Sequence, residues 1–279
     1  MDIKRIAAFT YNGAGGNPAG VVLLENEPDA ENMQRVAREV GYAETAFLVR
    51  SQKGWNIRYF APAKEIPFCG HATIGSGAVL GKELGAGVYP LVLKNAQEIT
   101  VEAIDLGAGK WGAALQSPPT WSREEADPTY VEDVYDAFGI DPEDLDPRLP
   151  TRLIHAGANH VVVGLKSRKR LAHLGYSFET GRELQERRDL ATFSFIFSES
   201  HSVFHARNPF AIGGLYEDPA TGAGAAALAG YLRDIGWPND GRIEVFQGED
   251  IGRKSHLIVE FSATPGEGIR VSGETAVID

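Results

Sequence analysis

The sequence of 279 residues predicts an α+β protein of two pseudo-symmetric lobes, each a curled, mainly antiparallel sheet or barrel around a central helix. Three observations carry this expectation. Strand-like segments outnumber helical ones in both halves, and each half holds one conspicuous Gly/Ala-rich apolar helix. The order of segments also lacks the regular βαβα alternation of a doubly wound sheet.

Taken in order, residues 3–10 and 19–24 read as strands joined by the glycine-rich turn NGAGGNP. ENMQRVAREVG, 31–41, has helical periodicity and a glycine stop, and TAFLVR and WNIRYF supply two more strands. FAPAKEIPF then breaks the pattern, and Thr73 to Leu84 reads as a helix despite Gly75, Gly77 and Gly81. Each such glycine costs about 1 kcal/mol relative to alanine. The helix is therefore expected in the interior, where glycines let neighbouring groups approach closely. YPLVLKN, ITVEAID and WGAALQS continue the strands to Ser117.

Pro118 and Pro119 mark a joint, followed by a charged connector with a short helix at YVEDVYDAF. The boundary is placed there, giving a first lobe of 1–117 and a second of 118–279 whose final strand is free to return to the first. RLIHAG, HVVVGL, FSFIFSES and VFHARNPF read as strands around a basic helical region; EDPA reads as a turn and AAALAGYL as a helix. IEVFQG, HLIVEF and VSGETAVI complete the chain. FCGHATIGSGAVL superposes on ATGAGAAALAGYL with Cys69 facing Thr221, Gly70 facing Gly222 and His71 facing Ala223.

A net charge of -11 argues against a nucleic-acid-binding surface, and the basic run KSRKR at 166–170 reads as a solvated face. A single cysteine, Cys69, excludes an intramolecular disulfide and disfavours a cysteine-based metal cluster. No secretory leader or membrane span is visible, so a cytoplasmic protein is expected. GAGKWG at 107–112 matches a dinucleotide fingerprint in letters only, because strand-like sequence follows it. His201 and His205 lack a third ligand. No metal and no cofactor are expected.

The first amides of a helix have no intrahelical acceptor, and the helix dipole adds positive potential there. Two such ends facing a cleft, with Gly70 and Gly222 keeping side chains clear, would hold a small carboxylate. Glu44, at the entrance to an apolar strand, is a candidate proton carrier, and His71 and Asp218 lie beside the two helix starts.

FTYNGAGGNPAGVVLL, MQRVAREVGYAETAFLV, IRYFAPAKEIPFCGHATIGSGAVL, FHARNPFAIGGLYEDPATGAGAAALAGYL and IEVFQGEDIGRKSHLIVEF, in that order, resemble the phenazine-biosynthesis PhzF-like family, within the diaminopimelate epimerase-like fold. The resemblance implies an active site between two lobes, a homodimer, and an isomerase that moves a proton on a small unsaturated or amino/hydroxy carboxylic acid without a cofactor. It implies Glu44 as general acid/base, with His71 and Asp218 also catalytic. Asn17, Gly70, Thr73, Gly222 and Ala223 are the implied substrate-binding positions. The phenazine enzyme has a proline after the histidine and a serine where this chain has Ala223, which points to a different small acid. Two alternatives stand beside this reading: an inactive small-molecule-binding homodimer, and an amino-acid racemase or epimerase. The second is disfavoured because Thr221 is a poor replacement for a second thiol.

Overall fold

The computed structural model describes residues 1–125 and 127–278, which form two compact units, Met1–Gln116 with Ser272–Asp279, and Ser117–Val271. The first unit begins with β1 (Lys4–Thr10) and β2 (Asn17–Leu24), then α1 (Ala30–Val40), β3 (Glu44–Ser51), β4 (Gly54–Phe60) and a two-residue β5 (Glu65–Ile66). After α2 (Gly70–Leu84) come β6 (Gly87–Leu93), β7 (Glu98–Gly107) and β8 (Lys110–Gln116).

The second unit holds β9 (Trp121–Arg123), α3 (Pro128–Ala137), β10 (Arg152–His155), β11 (Asn159–Leu165), α4 (Arg168–Ala172) and α5 (Phe178–Arg187). It continues through β12 (Leu190–Ser198), β13 (Val203–Phe210), β14 (Leu215–Asp218), α6 (Gly222–Asp234), β15 (Arg242–Gln247) and β16 (Ser255–Glu260). The last strand, β17 (Arg270–Val277), pairs antiparallel with β1.

In the first unit, pairing runs β17–β1–β2–β3–β4–β6–β7–β8 and back to β17, closing a barrel. β2–β3 and β4–β6 are parallel. Each parallel pair needs a helical crossover, which α1 and α2 provide. α1 lies outside, placing Met33, Val36 and Ala37 on Val22, Phe47 and Phe60. Its ends are closed conventionally: Asp29 accepts from the Asn32 amide at 2.7 Å, and Gly41 ends the helix at φ 70°.

α2 lies inside, with every residue from His71 to Gly81 buried, against β1, β2, β7 and β8. A Cβ at Gly77 would stand 2.6 Å from Val101 Cγ2, and one at Gly81 would stand 2.5 Å from Trp111 Cε3. Close packing explains why a glycine-rich segment is helical here. The helix begins three residues before the sequence pattern suggested, because Gly70 and His71 owe their conformation to this packing rather than to propensity.

The second unit repeats the plan. β11–β12 and β13–β15 are its parallel pairs, crossed by α4 with α5 and by α6. α6 buries Gly224 to Leu232 and packs on β9, β10, β11 and β16. Tyr130, Val134, Phe138 and Leu184 cover Phe193 and Phe195 from the outside. EDPA, expected as a turn, carries the end of β14 at Glu217 and Asp218.

Strand register extends the likeness to single residues. Phe60 sits opposite Glu65 and Pro209 opposite Glu217, while Phe47 faces Arg58 and Phe195 faces Arg207. Counting back along the same pairs makes Glu44 the counterpart of Thr192, and Ala19 that of His160. Arg58 and Arg207 are then matched residues gripping matched glutamates, Glu65 and Glu217, each through two guanidinium nitrogens. The helix caps agree, with Cys69 and Thr221 both at the N-cap.

Candidate active site

Glu44 is the first residue of β3 and pairs with Ala19, which holds its side chain beside the start of α2. Its Oε2 lies 3.2 Å from His71 Nε2, and the two side chains are 11% and 8% exposed. Burial pushes His71 down to about 4, partly offset by a bond to the Pro18 backbone carbonyl. At neutral pH the ring is therefore uncharged, and its 3.2 Å contact with Glu44 is not an ion pair. Cys69 Sγ stands 3.4 Å from the other ring nitrogen. One oxygen of Glu44, the thiol sulfur and one His71 nitrogen all lie within 4.8 Å of one another, and among the described residues this group alone could hold a metal.

Two features leave the start of α2 open. Cys69 makes no side-chain capping bond, and a Cβ at Gly70 would meet nothing within 4 Å. The Gly70, His71 and Ala72 amides precede the first intrahelical bond, from Thr73 N to Cys69 O. The outer helix α1 is capped by a side chain; the inner one is not.

Asn17 is buried at the start of β2, opposite Ala8. Gly16 before it has φ +76°, and a Cβ there would lie 2.7 Å from the Ala8 carbonyl, so that turn requires glycine. Thr73, expected to touch substrate, is placed differently. It is fully buried; its hydroxyl donates to Cys69 O at 2.7 Å and shares a 2.6 Å bond with Tyr59 Oη. Its side chain braces the first turn of α2 from within.

In the second unit, Asp218, Gly222 and Ala223 gather at the start of α6. The Thr221 hydroxyl donates to Asp218 at 2.6 Å and so does not cap the helix. Gly222 and Ala223 are half-buried. Gln247 completes this turn: its amide nitrogen donates to Asp218 O at 2.7 Å and to the Thr221 hydroxyl at 3.0 Å, and its oxygen accepts from Thr221 N at 3.1 Å. Sequence reasoning passed over Gln247. The signal was a polar residue closing the apolar strand IEVFQ. His205, half of the H-x-x-x-H pattern, bonds Glu249 and Glu199 instead.

The family model described as phenazine biosynthesis-like protein (PhzC-PhzF) matches residues 6–279. The chain belongs to that family. A trans-2,3-dihydro-3-hydroxyanthranilate isomerase of Pseudomonas aeruginosa is 32% identical, with 96% of this chain and 91% of that protein aligned. An uncharacterised isomerase of Bacillus subtilis is 27% identical over 99% of this chain and 98% of its own length. The crystal structure of a Bacillus anthracis PhzF-family protein superposes with a TM-score of 0.87 at 24% identity, covering 100% and 98% of the two chains. The fold is thus the two-lobed PhzF-like α+β fold, as the sequence pattern implied. No helix among the described residues is long and apolar enough to cross a membrane.

Proposed function

We propose that this PhzF-like isomerase moves a proton from one carbon to another of a small unsaturated or amino/hydroxy carboxylic acid, with Glu44 as the acid/base. The observation that carries this reading is the 3.2 Å contact between Glu44 and a neutral His71 at a helix start that no side chain caps. A substrate carboxylate suits these amides, which no side chain caps, where a negative charge is favoured by both the donors and the dipole. Glu44 then takes a proton from a neighbouring carbon. The electron pair shifts into the adjacent unsaturation, and the same carboxyl returns the proton at the new terminus, so the formula is unchanged.

A neutral His71 stands beside the carboxyl and is proposed to contact substrate without adding charge. Asp218, with its oxygen engaged by Thr221, enters the proposal as a further substrate-orienting carboxylate. Asn17, Gly70, Gly222 and Ala223 are proposed binding positions, and a homodimer is the proposed assembly. The relative named for dihydro-hydroxyanthranilate supports a cyclic unsaturated acid as a starting class. A two-thiol racemase gains no support, since Thr221, at the position matching Cys69, commits its hydroxyl to Asp218.

The test is a panel of such acids incubated in deuterated water and followed by NMR. Site-specific exchange in the wild-type protein, reduced in Glu44→Gln by about 100-fold or more, is expected for the loss of an acid/base group. Exchange unchanged in that variant would remove Glu44 from the mechanism.

A further inference from the structure

We infer that Tyr59 and Thr73 are positioning residues that aim and strengthen the Gly70 amide as a carboxylate donor, an inference that rests on the proposed reading of the α2 start for its consequence. Hydrogen counting fixes the direction of the bonds. Cys69 O can only accept, so the single proton of the Thr73 hydroxyl goes to it across 2.7 Å. Thr73 Oγ1 must then accept at its 2.6 Å contact with Tyr59 Oη, which makes the tyrosine the donor. Tyr59 is 1% exposed, and burial raises its pKa well above the ordinary value, so that proton is present at every working pH. The result is a buried one-way chain from Tyr59 to Thr73 to Cys69 O.

The Cys69 carbonyl and the Gly70 N–H belong to one planar peptide unit, and in the trans form they point in opposite directions. Cys69 O also accepts from Thr73 N at 3.0 Å and so faces down the helix, which sends the Gly70 N–H out of its start. Two donors on one carbonyl hold that plane still. Bonds in series also polarise one another, by about 10–30% each, which makes Gly70 the stronger donor. A hydroxyl bonding four residues back is ordinary in a helix, as Ser76 does to Ala72 O at 2.7 Å. The tyrosine behind Thr73 is not, and the second unit supplies the contrast. One residue before the matched Phe60 and Pro209, and four after the two N-caps, its positions are Asn208 and Ala225. Ala225 N bonds Thr221 O at 2.9 Å with no hydroxyl to add a second bond, and the Asn208 amide donates to Thr192 instead. The start of α6 forms without the chain, so helix folding does not require it. Of the two units, the one that carries Glu44 and His71 has it, beneath the open position at Gly70.

Cys69 is the one cysteine in the chain, so labelling cysteine at its carbonyl carbon and glycine at its nitrogen leaves a single carbonyl-coupled amide in the NMR spectrum, that of Gly70. The full-length protein is titrated with benzoate and with benzamide as its neutral counterpart. In Thr73→Val the Gly70 proton and the Cys69 carbonyl should move upfield, and benzoate should bind about 5-fold more weakly, the weight of one hydrogen bond. Tyr59→Phe, which removes only the remote donor, should move both signals the same way and weaken binding about 2-fold. Thr73→Ser should match the wild type. The double variant Tyr59→Phe/Thr73→Val leaves no hydroxyl orphaned, so its urea unfolding should recover stability lost in Thr73→Val while its benzoate affinity stays low. For any acid that exchanges, KM should rise by the same factors with kcat held. Unmoved signals in Thr73→Val, affinity that returns with stability in the double variant, or a fall in kcat at constant KM would overturn the positioning role. If the signals move as expected while benzoate perturbs Gly70 no more than benzamide does, the hold on the amide stands and the carboxylate reading of the α2 start falls.

Discussion

Matched register gives the two units the same skeleton, and different residues give them different chemistry. In the first, the entrance of β3 carries Glu44, with His71 beside it at the start of α2. At the corresponding places the second has Thr192 and Ala223, and His160 stands where the first has Ala19. There His160 Nδ1 meets the Thr192 hydroxyl at 2.7 Å, and the Asn208 amide donates to it at 3.1 Å. One unit places a carboxyl and imidazole at its helix mouth; the other fills the same corner with a neutral buried network. A shared fold thus fixes where a functional group can stand, while composition decides whether it can carry a proton.

The arginine–glutamate pairs sharpen the lesson, because the same pair recurs at different burial, with Lys94 beside Glu65 and three backbone carbonyls on Arg207. Arg58 holds the Glu65 carboxyl below its ordinary value, with both side chains 17% exposed. Burial pushes Glu217 above its ordinary value despite Arg207, with exposures of 8% and 1% for the arginine and glutamate. Breaking the buried pair by Arg207→Met should cost about 3–5 kcal/mol because a buried charge is left behind. Arg58→Met should cost about 1 kcal/mol. Urea unfolding of both variants measures the difference, and equal costs would erase the distinction. The acid response should differ in sign. Glu65 adds stability that is lost as pH falls through its lowered pKa, whereas the Glu217 contribution is complete at low pH and is lost as pH rises through its raised one.

Each unit also buries one histidine: His71 at about 4 and His160 at about 3, both lowered chiefly by burial. These depressed values mean the unfolded chain takes up protons first, so stability should fall as pH drops below about 6.5. For His71 the loss should reach roughly 3 kcal/mol by pH 4, at 1.36 kcal/mol per unit. Unfolding measured from pH 8 to 4 should show a shallower slope in His71→Asn and, separately, in His160→Asn. An unchanged slope would contradict the buried neutral state.

The smallest contrast lies within α2. Gly81→Ala should destabilise by about 1–3 kcal/mol through overpacking on Trp111. Gly75→Ala has 3.5 Å to its nearest neighbours and gains up to about 1 kcal/mol of helix propensity, so it should be neutral or stabilising. Thermal melts of the two variants decide this, and equal shifts would mean the helix is not held as described.

These comparisons also show why the sequence was readable in part. Glu44 at a strand entrance and two glycine-marked helix starts are local signals, and Cys69 facing Thr221 follows from a single ungapped register. The Arg–Glu correspondence was hidden because seven residues separate Arg58 from Glu65 and ten separate Arg207 from Glu217. Gln247 reaches Thr221 across 26 positions, a separation at which periodicity carries no information. The bonds of Thr73 to Cys69 O and Tyr59 were hidden because motif membership does not say which face of a fully buried helix a hydroxyl occupies. Closure of the barrel by β17 depends on pairing between the two ends of the chain.

The central claim, that proton chemistry resides at Glu44 and not at its counterpart, is tested most directly by deuterium exchange in Glu44→Gln and Thr192→Val on one substrate. Thr192→Val leaves His160 and Asn208 without their shared hydroxyl and should cost about 1–3 kcal/mol of stability. It should nevertheless retain exchange at temperatures where it is folded, while Glu44→Gln loses it. Exchange surviving in Glu44→Gln and vanishing in folded Thr192→Val would contradict the account.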